Sequence, residues 1–93
     1  MLNVIIPDAC QPQDAQLGPG DSATFMLRSK CGVLYVRRGS KVCILLFDIW
    51  TADSFTIFGD REGLIDVSHE RLSSEITVTS LHSSGAIGCL FLT

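Results

Sequence analysis

The sequence predicts a single all-β domain, a small antiparallel β-sandwich or barrel of about seven to eight short strands with a jelly-roll or Greek-key-like arrangement. Short apolar or alternating segments recur at fairly regular spacing, and turn residues separate them. No segment has the length and periodicity of an ordinary helix. A chain of 93 residues has the size of one domain, so residues 1–93 are expected to form one folding unit.

Turn residues mark where the predicted strands end. In the turn at residues 17–21, Pro19 presets φ and Gly20 accepts the positive φ that most residues avoid. The polar stretch 10–16 is expected to be irregular. The predicted strands are residues 3–6, 23–27, 33–36, 41–50, 55–58, 64–67, 75–79 and 86–93.

Local sequence patterns add detail to this prediction. The short connection between residues 33–36 and 41–50 predicts an antiparallel hairpin. Residues 75–79 alternate, which places Ile76 and Val78 toward the core and the polar side chains toward solvent. Residues 68–74 are the only stretch whose pattern allows a helical turn, and this stretch is too short to pack as a full helix.

The segment KVCILLFDIW, residues 41–50, has no polar side chain between Lys41 and Asp48. Because successive side chains of a strand point to opposite faces, this strand is apolar on both faces, and so is the strand at 86–93. A two-layer sandwich covers one face only, so the second face is expected to meet another chain. The predicted interface residues are Val42, Ile44, Leu45, Leu46, Phe47, Leu90 and Leu92.

Composition supports self-association. Hydrophobic residues make up 46% of the chain and charged residues 18%, against roughly 25% charged in average domains. Too few charges remain for a fully solvated surface, so a homo-oligomer is expected. The net charge of −3 argues against a nucleic-acid partner, and no apolar stretch is long enough to span a membrane.

Compartment and cysteine state are predicted from the same composition. The N-terminal segment lacks the positively charged start of a signal peptide, so synthesis in the cytoplasm is expected. The four cysteines are therefore expected to be reduced thiols, and the two in apolar runs, Cys43 and Cys89, to behave as small hydrophobic residues.

No catalytic or metal-binding constellation is evident. No two of the cysteines and histidines have the close spacing of a zinc knuckle, so no metal or other cofactor is expected. His69 and His82 read as loop or turn residues, and no nucleophile elbow or phosphate-binding loop accompanies them. The chain is therefore predicted to be non-enzymatic.

Four segments together resemble a known class of protein: NVIIPD at 3–8, LGPGDSATF at 17–25, ITVTSL at 76–81 and SGAIGCLFL at 84–92. In a small chain without a signal peptide, they resemble the all-β virion proteins of tailed bacteriophages that cement or decorate capsids. The resemblance implies a structural protein of the virion, commonly a trimer, that binds neighbouring capsid subunits. It implies no functional residues, because no motif is shared.

An alternative interpretation is a β-sandwich that binds a carbohydrate or another small ligand. Trp50 and Tyr35 would supply the aromatic platform of that site, and Asp53 or Asp48 its polar partner. The opposing interpretation is that the aromatic residues fill the core and subunit contacts.

Overall fold

The computed structural model describes residues 12–93, and these residues form eight β-strands and no helix. The strands are β1 (Gln13–Leu17), β2 (Ser22–Met26), β3 (Cys31–Arg38), β4 (Lys41–Asp48), β5 (Ser54–Phe58), β6 (Ile65–His69), β7 (Glu75–Ser80) and β8 (Ile87–Leu92).

The strands form two antiparallel sheets that pack as a small sandwich, which confirms the predicted fold class. The larger sheet has the order β1-β8-β3-β4-β5, and the smaller has the order β2-β7-β6. Strands β3, β4 and β5 are consecutive neighbours, and β8 returns to lie beside β3. This spatial order is that of a Greek key.

Seven of the eight predicted strands correspond to observed ones, and the eighth, at residues 3–6, lies outside the described residues. The prediction that residues 10–16 are irregular is wrong for residues 13–16, because this polar segment forms most of β1, which pairs with β8. The predicted helical turn at 68–74 is also wrong. Its first two residues end β6, and the remainder is a turn in which Leu72 has a φ of 66°.

The predicted hairpin between β3 and β4 is confirmed. Arg38 pairs with Lys41, which leaves Gly39 and Ser40 as a two-residue turn. Gly39 has a φ of 60°, and Ser40 is not among the residues with positive φ. This pattern is that of a type II′ turn, whose twist matches the twist of paired strands.

Aromatic side chains join the two sheets in the core. Phe91 of β8 contacts Phe25 of β2 at 5.7 Å and Phe47 of β4 at 5.9 Å between ring centroids. Phe47 also meets His69 of β6 edge-on, with centroids 6.2 Å apart. These rings are buried, so they stabilise the fold by burial and by favourable edge contacts.

His69 is a buried polar residue with a structural partner. Its Nε2 lies 2.8 Å from the carbonyl oxygen of Ser73, which accepts the hydrogen bond. His69 therefore ties the end of β6 to the following turn. The inward prediction for Ile76 and Val78 of β7 is confirmed, since both are completely buried.

The two sheets are joined at one edge by Gln13 of β1. Its side-chain amide donates to the carbonyl oxygen of Met26 and accepts from the Met26 backbone N–H, each at 2.8 Å. Met26 ends β2, the edge strand of the smaller sheet. The pair of bonds therefore closes this edge of the sandwich.

The opposite edge is open because five strands face only three. None of the five residues of β5 is buried, and Phe55, Ile57 and Phe58 are 52%, 59% and 61% exposed. The pairing of β4 with β5 shifts between Ile44 and Leu45, so Ile57 has no partner in the register. This extra residue is a β-bulge.

Two glycines with nearly the same backbone angle offer a matched test of the fold. Gly59 has a φ of 74° and Gly63 a φ of 72°. A Cβ on Gly63 meets no atom within 4 Å, whereas one on Gly59 collides with the carbonyl oxygen of Val42. Gly59 is therefore required both by its φ and by the close approach of β4.

We expect Gly63→Ala to lower the free energy of unfolding by about 1–2 kcal/mol, the cost of left-handed backbone for an L-residue. Gly59→Ala should cost about 1–3 kcal/mol more, because β4 must also shift. Urea unfolding followed by circular dichroism measures both variants. Equal losses for the two variants would contradict the close packing of Gly59 on β4.

Candidate functional site

The structure assigns the two faces of β4. Cys43, Leu45 and Phe47 point into the core and are completely buried, whereas Val42, Ile44 and Leu46 alternate with them and point outward. The inclusion of Leu45 and Phe47 in the predicted interface is therefore wrong. The sequence pattern could not separate them from their neighbours, because both faces of the strand are apolar.

The outward residues of four neighbouring strands form a continuous apolar surface. Register places Leu90, Tyr35, Ile44 and Phe58 side by side in one row across β8, β3, β4 and β5. Leu92, Val33, Leu46 and Phe55 form the next row. We call these eight residues the apolar face.

The apolar face is accessible to solvent in the single chain. Tyr35, Leu90 and Leu92 are 37–38% exposed, and the two phenylalanines of β5 are more exposed than half. Leaving an apolar side chain of this size in water forgoes up to about 1.5–3 kcal/mol of burial free energy. A contiguous surface of this kind on a soluble domain is typical of an interaction site.

The outer face of the smaller sheet has the opposite character. Its pairs are hydroxyl residues: Ser22 Oγ lies 2.7 Å from Thr79 Oγ1, and Thr24 Oγ1 lies 3.2 Å from Thr77 Oγ1. Asp66 pairs with Thr79 on the same surface. One side of the sandwich is therefore suited to water and the other is not.

A hollow of about 480 Å³ adjoins the apolar face over β1, β8 and β3. It lies over Gly88, which pairs with Gln16 on one side and Arg37 on the other. Tyr35 and Leu90 form its apolar wall, and Asp14, Gln16 and Arg37 contribute polar groups to its rim. Because Gly88 has no side chain, the floor of the hollow is left open.

The packing of the chain itself does not require a glycine at position 88. Gly88 has no positive φ, and the nearest atom to a Cβ built there is the Arg37 carbonyl oxygen at 3.8 Å, an ordinary contact distance. Glycine in a strand interior weakens the strand and often marks a place where a ligand or another backbone approaches closely.

The residues of the alternative ligand site lie apart. Trp50 and Asp53 belong to the connection between β4 and β5, beyond Asp48, which pairs with Cys31. Tyr35 is four residues farther along β3 than Cys31, about 13 Å away along the strand. Trp50 Nα–H donates to Asp48 Oδ1 at 2.8 Å, so Asp48 stabilises the turn.

Within residues 12–93, the hydrogen bonds of the two histidine rings go to backbone carbonyl oxygens and not to a carboxylate or a hydroxyl group. His69 bonds to the Ser73 carbonyl oxygen, and His82 Nδ1 lies 3.1 Å from the Ser84 carbonyl oxygen. Within the same part of the chain, no group of three or more potential metal ligands comes together. Leu90, Leu92 and the other exposed apolar residues thus remain the main chemical feature of the described surface.

The described cysteines are free and differ in environment. Cys31 is exposed, whereas Cys43 and Cys89 are buried. Burial raises the pKa of the Cys89 thiol to about 11. Burial also raises the pKa of the Cys43 thiol, opposed by the smaller effect of the Arg61 charge. Because the thiolate is the reactive form, both buried thiols are held inert.

Comparisons with protein-family models, with curated proteins and with solved structures found no match to this chain. No helix long and apolar enough to cross a membrane occurs among residues 12–93. The surface features of the domain are therefore the basis for its functional interpretation.

We expect a thiol reagent such as iodoacetamide to modify Cys31 of the folded protein much faster than Cys43 or Cys89. Raising the pH from neutral toward the raised pKa of Cys89 increases its thiolate fraction but leaves the sulfur buried. Peptide mass spectrometry on a Cys10→Ser background measures the three rates. Rapid native labelling of Cys43 or Cys89 would show that the core opens readily.

Proposed function

We propose that this protein is a non-enzymatic structural protein that assembles with other protein subunits through the apolar face of its larger sheet. The observation that carries the proposal is the contrast between the two outer surfaces of the sandwich. One carries paired hydroxyl residues, and the other carries eight apolar side chains in two rows. A surface of eight apolar side chains is favourable only if another protein covers it when the protein functions.

Self-association is the first form of assembly that the chain favours. The low share of charged residues and the uncovered strand β5 both leave apolar surface in the monomer. A second copy presents the same apolar face, so contact between copies removes two such surfaces from water at once. Homo-oligomers with closed symmetry are the commonest solution of this kind.

The sequence resemblance extends the proposal to a virion component that cements or decorates a capsid. What supports this role is a small all-β domain with a wide interaction surface and, within residues 12–93, no assembled cluster of metal ligands. A capsid protein would be the further partner, and the virion the place of action. Co-sedimentation of the purified protein with phage capsids that lack it tests that step.

Two neighbouring leucines of β4 provide a matched test of the proposed assembly. Leu46 belongs to the apolar face, and Leu45 is completely buried in the core. We expect Leu46→Asp to yield a folded monomer, because the charge opposes contact between copies. Leu45→Asp should unfold the chain, because the same charge is placed in the core.

Size-exclusion chromatography with light scattering gives the mass, and circular dichroism gives the folded state. Wild-type protein at micromolar concentration is expected to be a dimer or a trimer. A monodisperse wild-type monomer contradicts self-association through the apolar face. An oligomer that survives Leu46→Asp contradicts the use of this face.

A further inference from the structure

The apolar face is arranged so that it can cover itself. It consists of two rows of four residues on β8, β3, β4 and β5, so its centre lies between β3 and β4. A two-fold axis parallel to the strands at this centre places β3 over β4 of a second copy, and β8 over β5. Every apolar strand then meets an apolar strand.

The pairs that this axis creates are complementary in size. Tyr35 lies over Ile44 of the copy, and Val33 over Leu46. At the two ends of the face, Leu90 lies over Phe58 and Leu92 over Phe55. The most exposed aromatic side chains of the face therefore meet its leucines, and each contact is formed twice, as an isologous interface requires.

The hollow over Gly88 lies at the end of the face that receives Phe58. Leu90 forms part of its wall, so a phenyl ring above Leu90 is directly beside the space that Gly88 leaves open. A hollow of about 480 Å³ accommodates an aromatic ring, since a cavity of about 150 Å³ already binds benzene. Arg37 on the rim can lie against the ring, a favourable contact between a cation and an aromatic face.

From this geometry we infer that a second copy of this chain docks face to face, with Phe58 of each copy inserted into the hollow over Gly88 of the other. The inference rests on the proposed function and specifies how the copies meet. It also explains the glycine at position 88, which the packing of the single chain does not need.

The size of the face makes this inserted ring important. Together with the next row along the strands, which contains Gly88, Arg37 and Val42, the contact spans four strands at ~4.8 Å and three outward positions at ~6.6 Å, about 19 Å by 20 Å. Two such faces cover about 800 Å² of flat area, and interlocking side chains raise the buried area toward the ~1,000 Å² of a specific interface. At such a size, a few well-buried aromatic residues supply most of the affinity.

Charge does not oppose this arrangement. The axis places Arg37, which pairs with Val42 in the register, over Val42 of the copy. Asp14 and Gln16 lie on β1, at the rim of the contact. The Arg37 residues of the two copies lie on either side of the axis, each over a valine and not directly over each other.

The test combines two variants that leave the core unchanged. Gly88→Leu fills the hollow, and a side chain is sterically allowed there. Phe58→Ala removes the inserted ring, which is 61% exposed in the single chain and contributes little to the monomer. We expect each variant to weaken the dimer by more than tenfold while circular dichroism and the urea midpoint of the monomer stay close to those of the wild type.

Leu81→Ala is the matched control, because Leu81 is 54% exposed but lies outside the apolar face. It should leave the dimer unchanged. Sedimentation equilibrium over a concentration series gives the dissociation constants. If Gly88→Leu fails to fold, Phe58→Ala still tests the contact, since it shortens a side chain that is mostly exposed in the single chain.

The outcomes separate this inference from the proposed function. If Gly88→Leu and Phe58→Ala dimerise as well as the wild type while Leu46→Asp does not, the apolar face is the interface. The proposed insertion of Phe58 into the hollow over Gly88 is then wrong. A trimeric wild type also overturns the two-fold contact and leaves the proposed function standing. A monomeric wild type overturns both the proposed self-association and the proposed insertion of Phe58.

Discussion

The ring of Phe91 is the contact on which the rest of the sandwich depends. It touches Phe47 within its own sheet and Phe25 in the other sheet, so it sets how the two layers meet. Its neighbour Gly32 fits this role, because a Cβ there would lie 2.5 Å from the tip of the ring. With the core fixed at β8, β3 and β4, the alternate side chains of the same strands are forced outward. The position of the apolar face is thus a direct consequence of how the core is packed, whereas its apolar character comes from the sequence.

The sequence predicted a strand and its buried face well where apolar and polar residues alternate along it. Ile76 and Val78 alternate with polar residues, so one face of β7 was identifiable without a structure. The doubly apolar pattern of β4 led to the prediction that its second face meets another chain, and in the single chain this outward face is not covered by the smaller sheet. It could not tell Leu45 from Leu46, because the choice between the faces depends on which side the other sheet occupies.

Other features depended on contacts that are distant in sequence. Strand β1 reads as a polar loop, because an edge strand needs few apolar residues once β8 supplies the pairing. The hollow over Gly88 could be identified only from the register of β1, β8 and β3, and no local sequence pattern contains that register. The separation of Trp50 from Tyr35 followed only once the hairpin register was known.

The bulge at Ile57 has a consequence for how far assembly can proceed. Strand β5 is an edge strand with one row of backbone N–H and C=O groups facing away from β4, and such a row is a template for adding further strands. An unbroken edge of this composition would favour open-ended fibrils. The extra residue interrupts the regular spacing of these groups and increases the local twist, so another strand cannot continue the ladder in register. In the proposed assembly, the strand whose aromatic side chains would meet a partner therefore also opposes the addition of further strands at its own edge of the sheet.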